Sequence, residues 1–293
     1  MTKRAVVVGV NDYSVQGFTN LRGCVRDAQA MYHLLVDAFL FDPSQVWLYT
    51  DNRATSSNIR QAIRYMLSIS EPGDVACLYY AGHGGLHPVA GGGGASYQTI
   101  IPYSGTFITD WDLAMAAEAL EPSRVNFTII LDSCHSGGMH EETEHPGAIR
   151  SIRYATEFIQ SLIATLKKVI PFGVTVPGPQ AYSNNVTQVA QAGNGLLSMS
   201  EDPNQLFVQL AKSTLFAACR WNEYAGETPD HGYFTQAFLD LVNQSNFTVT
   251  HRAFHQQLVD KVHQLAGPNQ SPQLRGQQNR MDEDFLLGWR DCR

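Results

Sequence analysis

The chain of 293 residues lacks any Cys-x-x-Cys pair, and its five cysteines (Cys24, Cys77, Cys134, Cys219, Cys292) are odd in number and widely spaced. That pattern argues against a disulfide framework and against a structural zinc site. No run approaches the ~20 apolar residues that cross a bilayer, so no membrane association is expected. Basic residues are in deficit: 20 Lys and Arg against 27 Asp and Glu leave a formal charge of −7. A surface of that sign does not suit broad binding to nucleic acid or anionic lipid. The glycine run Gly91–Gly94 lacks the Gly-Lys-Ser/Thr ending of a phosphate loop. His83 and His87 are four apart, but the intervening glycines and Pro88 exclude the helix a zinc-binding pair would need. No metal site is expected from these residues.

What is present is a folding chain, 44% apolar and 16% charged, long enough for one large α/β domain or two small ones. Met1–Val10 has a basic tip and a short apolar run that passes into Asn11-Asp12 without a small-residue cleavage site. It reads as a first strand and not as a leader, so a cytoplasmic location is expected, and the sequons at Asn126, Asn185 and Asn246 carry no meaning. Apolar runs then alternate with helical spacing. Strands are expected at Ala5–Val10, Gln45–Thr50, Asp74–Tyr80, Val125–Leu131 and Thr214–Cys219, with a short one at Thr99–Pro102. Helices are expected at Leu21–Phe39, Ser56–Ile69, Asp110–Leu120, Tyr233–Val242 and Thr250–Leu265. The last two carry apolar stripes Phe234/Ala237/Phe238/Leu241 and Phe254/Leu258/Val262/Leu265. Residues 139–212 interrupt the alternation with the acidic run His140–His145, a helical segment around Arg153–Val169 and a polar stretch.

Strand–helix alternation implies a mostly parallel sheet covered on both faces, with ligands bound beyond the carboxyl ends of the strands. Two strand ends carry chemistry: Tyr79-Tyr80-Ala81-Gly82-His83-Gly84-Gly85 and Leu131-Asp132-Ser133-Cys134-His135-Ser136-Gly137-Gly138. In a parallel sheet both emerge at one edge. An imidazole there lowers a thiol's pKa and later protonates a leaving amine. Glycines beside His83 admit close backbone approach, and the N–H groups of Gly84 and Cys134 suit an oxyanion. The competing reading of the same residues is a core cysteine and a histidine in a glycine-rich turn.

Tyr-Tyr-Ala-Gly-His-Gly followed by Ile-Leu-Asp-Ser-Cys-His-Ser-Gly resembles the caspase-like cysteine peptidases, in particular metacaspases and their prokaryotic relatives. Val-Val-Val-Gly-Val-Asn-Asp-Tyr, Leu21-Arg-Gly-Cys-Val-Arg-Asp-Ala28, Phe216-Ala-Ala-Cys-Arg220 and Gly232-Tyr-Phe-Thr-Gln-Ala-Phe follow in the matching order. The resemblance covers about 1–138 and 213–265. It implies a single caspase-like domain over 1–293, a three-layer α/β/α sandwich around a mostly parallel six-stranded sheet, with 139–212 as an inserted activation or linker region. It implies Cys134 as nucleophile and His83 as general acid/base, with the imidazole oriented by backbone. It further implies a first-position pocket from Cys24, Asp27 and Asp132, and two carboxylates there favour Arg or Lys. Asp27 equally suits a helix start, where a carboxylate satisfies open N–H groups. His135 reads as packing.

The implied activity is endopeptidase cleavage after Arg or Lys, in regulated proteolysis, cell death or defence, on a protein or peptide substrate. An upstream activating protease or regulator fits the same resemblance. Many metacaspases need calcium, but Gly91–Tyr97 has no carboxylate and Trp111 interrupts the later acidic pair. Only Asp110, Asp112 and Glu141 remain for an ion that wants six to eight oxygens, so calcium independence is expected and no cofactor is required. Arg150, Arg153, Lys167 and Lys168 are self-cleavage candidates, and an ordinary insertion explains the same stretch. The run Glu141–Glu144 reads as a solvated face. Two other classes are open: a cysteine-dependent α/β-hydrolase, whose histidine would follow Cys134 as His231 or His255, and a caspase-like scaffold without activity. The hydrolase elbow wants glycines where Asp132 and Ser136 stand.

Overall fold

A computed structural model describes residues 1–88, 96–109, 112–113, 116–117, 125–133, 151–152, 213–220, 223–242, 249–276 and 278–286. Cys134, Asp110, Glu141, the four self-cleavage candidates and nearly all of 139–212 lie outside the described residues.

The continuous Val/Ile/Leu runs become central strands because both their faces are covered. β1 (Lys3–Gly9), β2 (Val46–Thr50), β3 (Val75–Ala81), β7 (Asn126–Asp132) and β9 (Thr214–Ala217) are parallel, and β10 (Gln273–Arg275) joins antiparallel at one edge. Their order is β10-β9-β7-β3-β1-β2, a mostly parallel six-stranded sheet as expected. Every residue of β3 and β7 is buried. Between Ala81 and Ser96 lies a departure from expectation. Residues expected to be glycine loop form β4 (Gly84–Pro88), antiparallel to β5 (Ser96–Ile100), which starts three residues earlier than the strand expected at Thr99. With β6 (Ile108–Thr109) and β8 (Ser151–Ile152) they make a second sheet, β6-β5-β4-β8.

α1 (Cys24–Asp37) crosses from β1 to β2, and α2 (Ser56–Ser68) crosses back over β1 to β3. Right-handed crossovers in opposite directions put the two helices on opposite faces, which makes the three layers. α3 (Tyr233–Val242) packs on α1 and on α4 (His251–Ala266), extending the α1 layer, and α5 (Gln278–Met281) follows near the C-terminus. The expected apolar stripe of α4 holds through Val262, whereas Leu265 is exposed. Phe216, Phe238, Phe254 and Phe285 interlock below β9, with Phe254 and Phe285 stacked at 4.6 Å.

α1 begins three residues later than its apolar spacing predicts. Glu227, far along the chain, accepts the N–H groups of Arg22 and Gly23 (3.2 and 3.3 Å). Asn11 Oδ1 accepts those of Cys24 and Val25 (2.9 and 3.3 Å), supplying the cap Gly23 cannot. The helix also ends early. Leu40 takes a left-handed φ of 58° in the open, and so turns both Phe39 and Phe41 into the core.

Candidate active site

Parallel register fixes where the two chemical strand ends start. Gly9 pairs with Ala81, and Ala81 with Asp132. His83 is two residues beyond Ala81, and position 134 is two beyond Asp132. The strand-end loops are knitted together by side chains. Asp51 Oδ1, after β2, accepts the N–H groups of Asn11 and Asp12 at 2.7 and 3.0 Å. At Gly9 a Cβ would overlap the Cys24 carbonyl and Ala28, so glycine lets the first turn of α1 sit on the end of β1.

His83 is buried and held from several sides. Its Nε2 lies 2.7 Å from the Thr19 carbonyl oxygen, which can only accept. Nε2 therefore carries the hydrogen, and in the neutral ring Nδ1 is the basic nitrogen. The ring also leans on Tyr13, centroids 4.5 Å apart and planes at 56°. Below it, two phenols replace missing ladder bonds. The His83 N–H donates to Tyr13 Oη (2.7 Å), Tyr80 Oη is 2.7 Å from the His83 carbonyl and 2.8 Å from that of Ile101, and the two phenols meet at 3.0 Å. Burial first, then the neighbouring Tyr80, holds the Tyr13 phenol well above its ordinary pKa, so it remains a neutral donor and acceptor. Gly82 is needed for this arrangement, because a Cβ there would overlap both hydroxyls. Gly84, the other oxyanion candidate besides Cys134, opens β4 immediately after His83.

Among the described cysteines, Cys24, Cys77 and Cys219 are all buried. Burial pushes the Cys77 thiol up, which disfavours thiolate. Of the three residues assigned by resemblance to the first-position pocket, Asp27 and Asp132 are both wholly buried carboxylates joined to the start of α3. Asp132 Oδ2 accepts the N–H and the hydroxyl of Thr235 at 3.2 and 2.5 Å, and Tyr79 Oη lies 2.5 Å from that same hydroxyl. Asp27 accepts the Gly232 N–H at 3.1 Å and pairs with His231 Nδ1 at 2.7 Å. Cys24, three residues before Asp27, is buried at the head of α1. Asp27 lies in the first turn of α1, and its carboxylate also accepts from the N–H that opens α3. The sequence reading missed His231 and Thr235 as partners. Thr235 was signalled only by its place in the Gly232–Phe238 block, and His231 was singled out only for the hydrolase alternative.

Elsewhere, Asp112, a calcium candidate, is bound to Arg60 at 2.9 Å and to the N–H and hydroxyl of Thr109, each at 2.9 Å. No cluster of three potential metal ligands occurs among the described residues. His255, a candidate for the hydrolase alternative, sits against the Pro272 carbonyl (2.9 Å) and the ring of Phe216. No helix among the described residues is long and apolar enough to cross a membrane.

A family model, the caspase domain (Peptidase_C14), matches residues 2–282. Metacaspase-4 of Arabidopsis thaliana is 34% identical over 49% of this chain, which spans 36% of that protein. Metacaspase-1 of Schizosaccharomyces pombe is 24% identical over 90% of this chain and 66% of its own length. Two solved structures share the fold. One is a Geobacter sulfurreducens protein (TM-score 0.65, 18% identity, 99% of this chain and 100% of that one). The other is caspase-1 of Spodoptera frugiperda (TM-score 0.53, 10% identity, 99% and 91%).

Proposed function

The chain belongs to the caspase-domain family, a family of cysteine-type peptidases, and on that footing we propose that it is an endopeptidase cutting after Arg or Lys through Cys134 and His83. The register Gly9–Ala81–Asp132 carries this reading, since positions 83 and 134 start from neighbouring points on one sheet edge. The fixed tautomer supports it. With Nε2–H given to Thr19, His83 Nδ1 takes the thiol proton as the Cys134 sulfur attacks the peptide carbonyl carbon. The N–H groups of Gly84 and Cys134 stabilise the oxyanion. Collapse expels the amine, which receives the proton from His83, and leaves a thioester. Water then attacks the thioester with His83 as base, releasing the acid and the thiol.

Asp132 and Asp27 supply the negative charge for a substrate guanidinium or ammonium, with Cys24 beside Asp27. Calcium is not required. The fit is poor, because Asp112 is already committed to Arg60 and Thr109. Regulated proteolysis in the cytoplasm, with an activating protease or self-cleavage at Arg150, Arg153, Lys167 or Lys168, completes the reading. A positional-scanning peptide library tests it on wild type and Cys134→Ala. Cleavage after Arg or Lys by the wild type alone is expected. Cleavage retained in the variant refutes Cys134 as the nucleophile, and none by an intact wild type refutes the peptidase reading and favours a scaffold.

A further inference from the structure

The segment from Gly226 to Gly232 is closed on itself and clamped onto the head of α1. Glu227 and Gly232 form an antiparallel bridge, and Thr228 N–H donates to the His231 carbonyl at 2.8 Å. Glu227 takes the N–H groups of Arg22 and Gly23, and Arg26 reaches Asp230 at 3.0 Å and the Pro229 carbonyl. The tip of this clamp is His231. Its imidazole is 23% exposed, whereas the Asp27 carboxylate it binds is 0% exposed. A solvent-reached, titratable ring therefore stands on a carboxylate that has no solvent of its own.

We propose that His231 is a specificity-determining residue: its protonation decides how much of the Asp27 charge is offered to a cationic substrate side chain. This rests on the pocket reading given above. A protonated imidazole and Asp27 form a pair of no net charge, so the pocket keeps only the charge of Asp132. A neutral imidazole still donates Nδ1–H to Asp27, but the His231–Asp27 pair then carries a net negative charge in a buried place, where a second cation is attracted most strongly. The other ionisable groups around the ring are Arg26 of α1 and Asp230 of the clamp, which are paired with each other at 3.0 Å, and Glu227, whose carboxylate faces the N–H groups of Arg22 and Gly23. The hydrogen bond to Asp27, more than any other influence, raises the imidazole above its ordinary pKa of 6.5, so the switch falls within a workable pH range.

The test is the inhibition constant of a peptide aldehyde ending in arginine, measured from pH 5.5 to 8.5 on wild type and His231→Gln. Both proteins keep Cys134 and His83, so the titration of those two cancels in the ratio of the constants. The ratio of wild type to variant is expected to exceed fivefold at the acid end and to approach one at the alkaline end. A ratio constant within twofold across the range overturns the proposal. Asp132→Asn, run in parallel, separates the two claims. If it abolishes arginine binding while the His231→Gln ratio stays flat, the pocket stands and the switch falls. If it leaves arginine binding intact, the pocket reading itself falls, and the proposal with it. Should His231→Gln fold poorly, His231→Asn replaces it, keeping a donor on a shorter stem.

Discussion

Replacing Thr235 by valine removes one hydroxyl at nearly constant volume. That hydroxyl donates to Asp132 Oδ2 at 2.5 Å and so accepts from Tyr79 Oη, also 2.5 Å away, making a short relay at the floor of the candidate pocket. Both bonds are buried. A hydrogen bond to a charged group contributes about 1.5–3 kcal/mol and a neutral one about 0.5–1.5 kcal/mol, so Thr235→Val is expected to destabilise by about 2–4 kcal/mol. Thr235→Ser keeps the relay and loses about 1 kcal/mol for the methyl. Urea unfolding at constant slope reads the difference as a shift in midpoint. A double-mutant cycle with Tyr79→Phe should show a coupling of about 1 kcal/mol, because the second change removes the donor that the first has deprived of its acceptor. A valine variant within about 0.5 kcal/mol of wild type would refute the claim that the hydroxyl matters here.

Asp132→Ala should abolish cleavage of Arg peptides; an unchanged Arg preference in that variant would remove it from the pocket. Tyr13→Phe leaves the ring against His83 but removes the acceptor of its N–H, so kcat should fall by about tenfold with KM held, as for loss of about 1.4 kcal/mol of positioning; a rise in KM alone would contradict that. Turnover should be the same in chelator and in millimolar calcium, and a large stimulation would show that the acidic residues bind the ion after all. Stability against pH should reveal two opposed groups near the C-terminus. Burial lowers His251 to about 4, so its contribution is lost as pH falls from 6.5, and burial raises Glu283 to about 7, so its contribution is lost as pH rises from 4.5. Glu283→Gln should therefore lose more stability on acidification from pH 6.5 than wild type does; parallel profiles would argue that Glu283 does not titrate in the fold.

The central strands were legible because burial on both faces leaves apolar runs, as in Ala5–Val8 and Ile129–Leu131. The place of His83 just beyond a strand was legible from the sequence, whereas its role as acid and base came only from the family resemblance. β4 was not, since Gly84 and Gly85 read as a loop and gain their strand geometry from pairing with Ile100 and Thr99 on one side and with Ser151 and Ile152 on the other. β10 is three residues long and exists because β9 offers it an edge. The start of α1 depends on Glu227, about two hundred residues away, and Asp27 depends on His231 at a similar separation. No local periodicity encodes such pairings. For the same reason nothing near Tyr13 or Tyr80 in the sequence marks their hydroxyls as the groups that hold the His83 backbone.

The pH dependence of alkylation at Cys134, located by peptide mass spectrometry in wild type and His83→Ala, addresses the central chemistry most directly. A thiol facing the basic Nδ1 of His83 should react at a rate already near its plateau by neutral pH, and in the variant that midpoint should move up to the ordinary thiol value of about 8.5. Coincident profiles in the two proteins would mean that the imidazole and the sulfur do not meet.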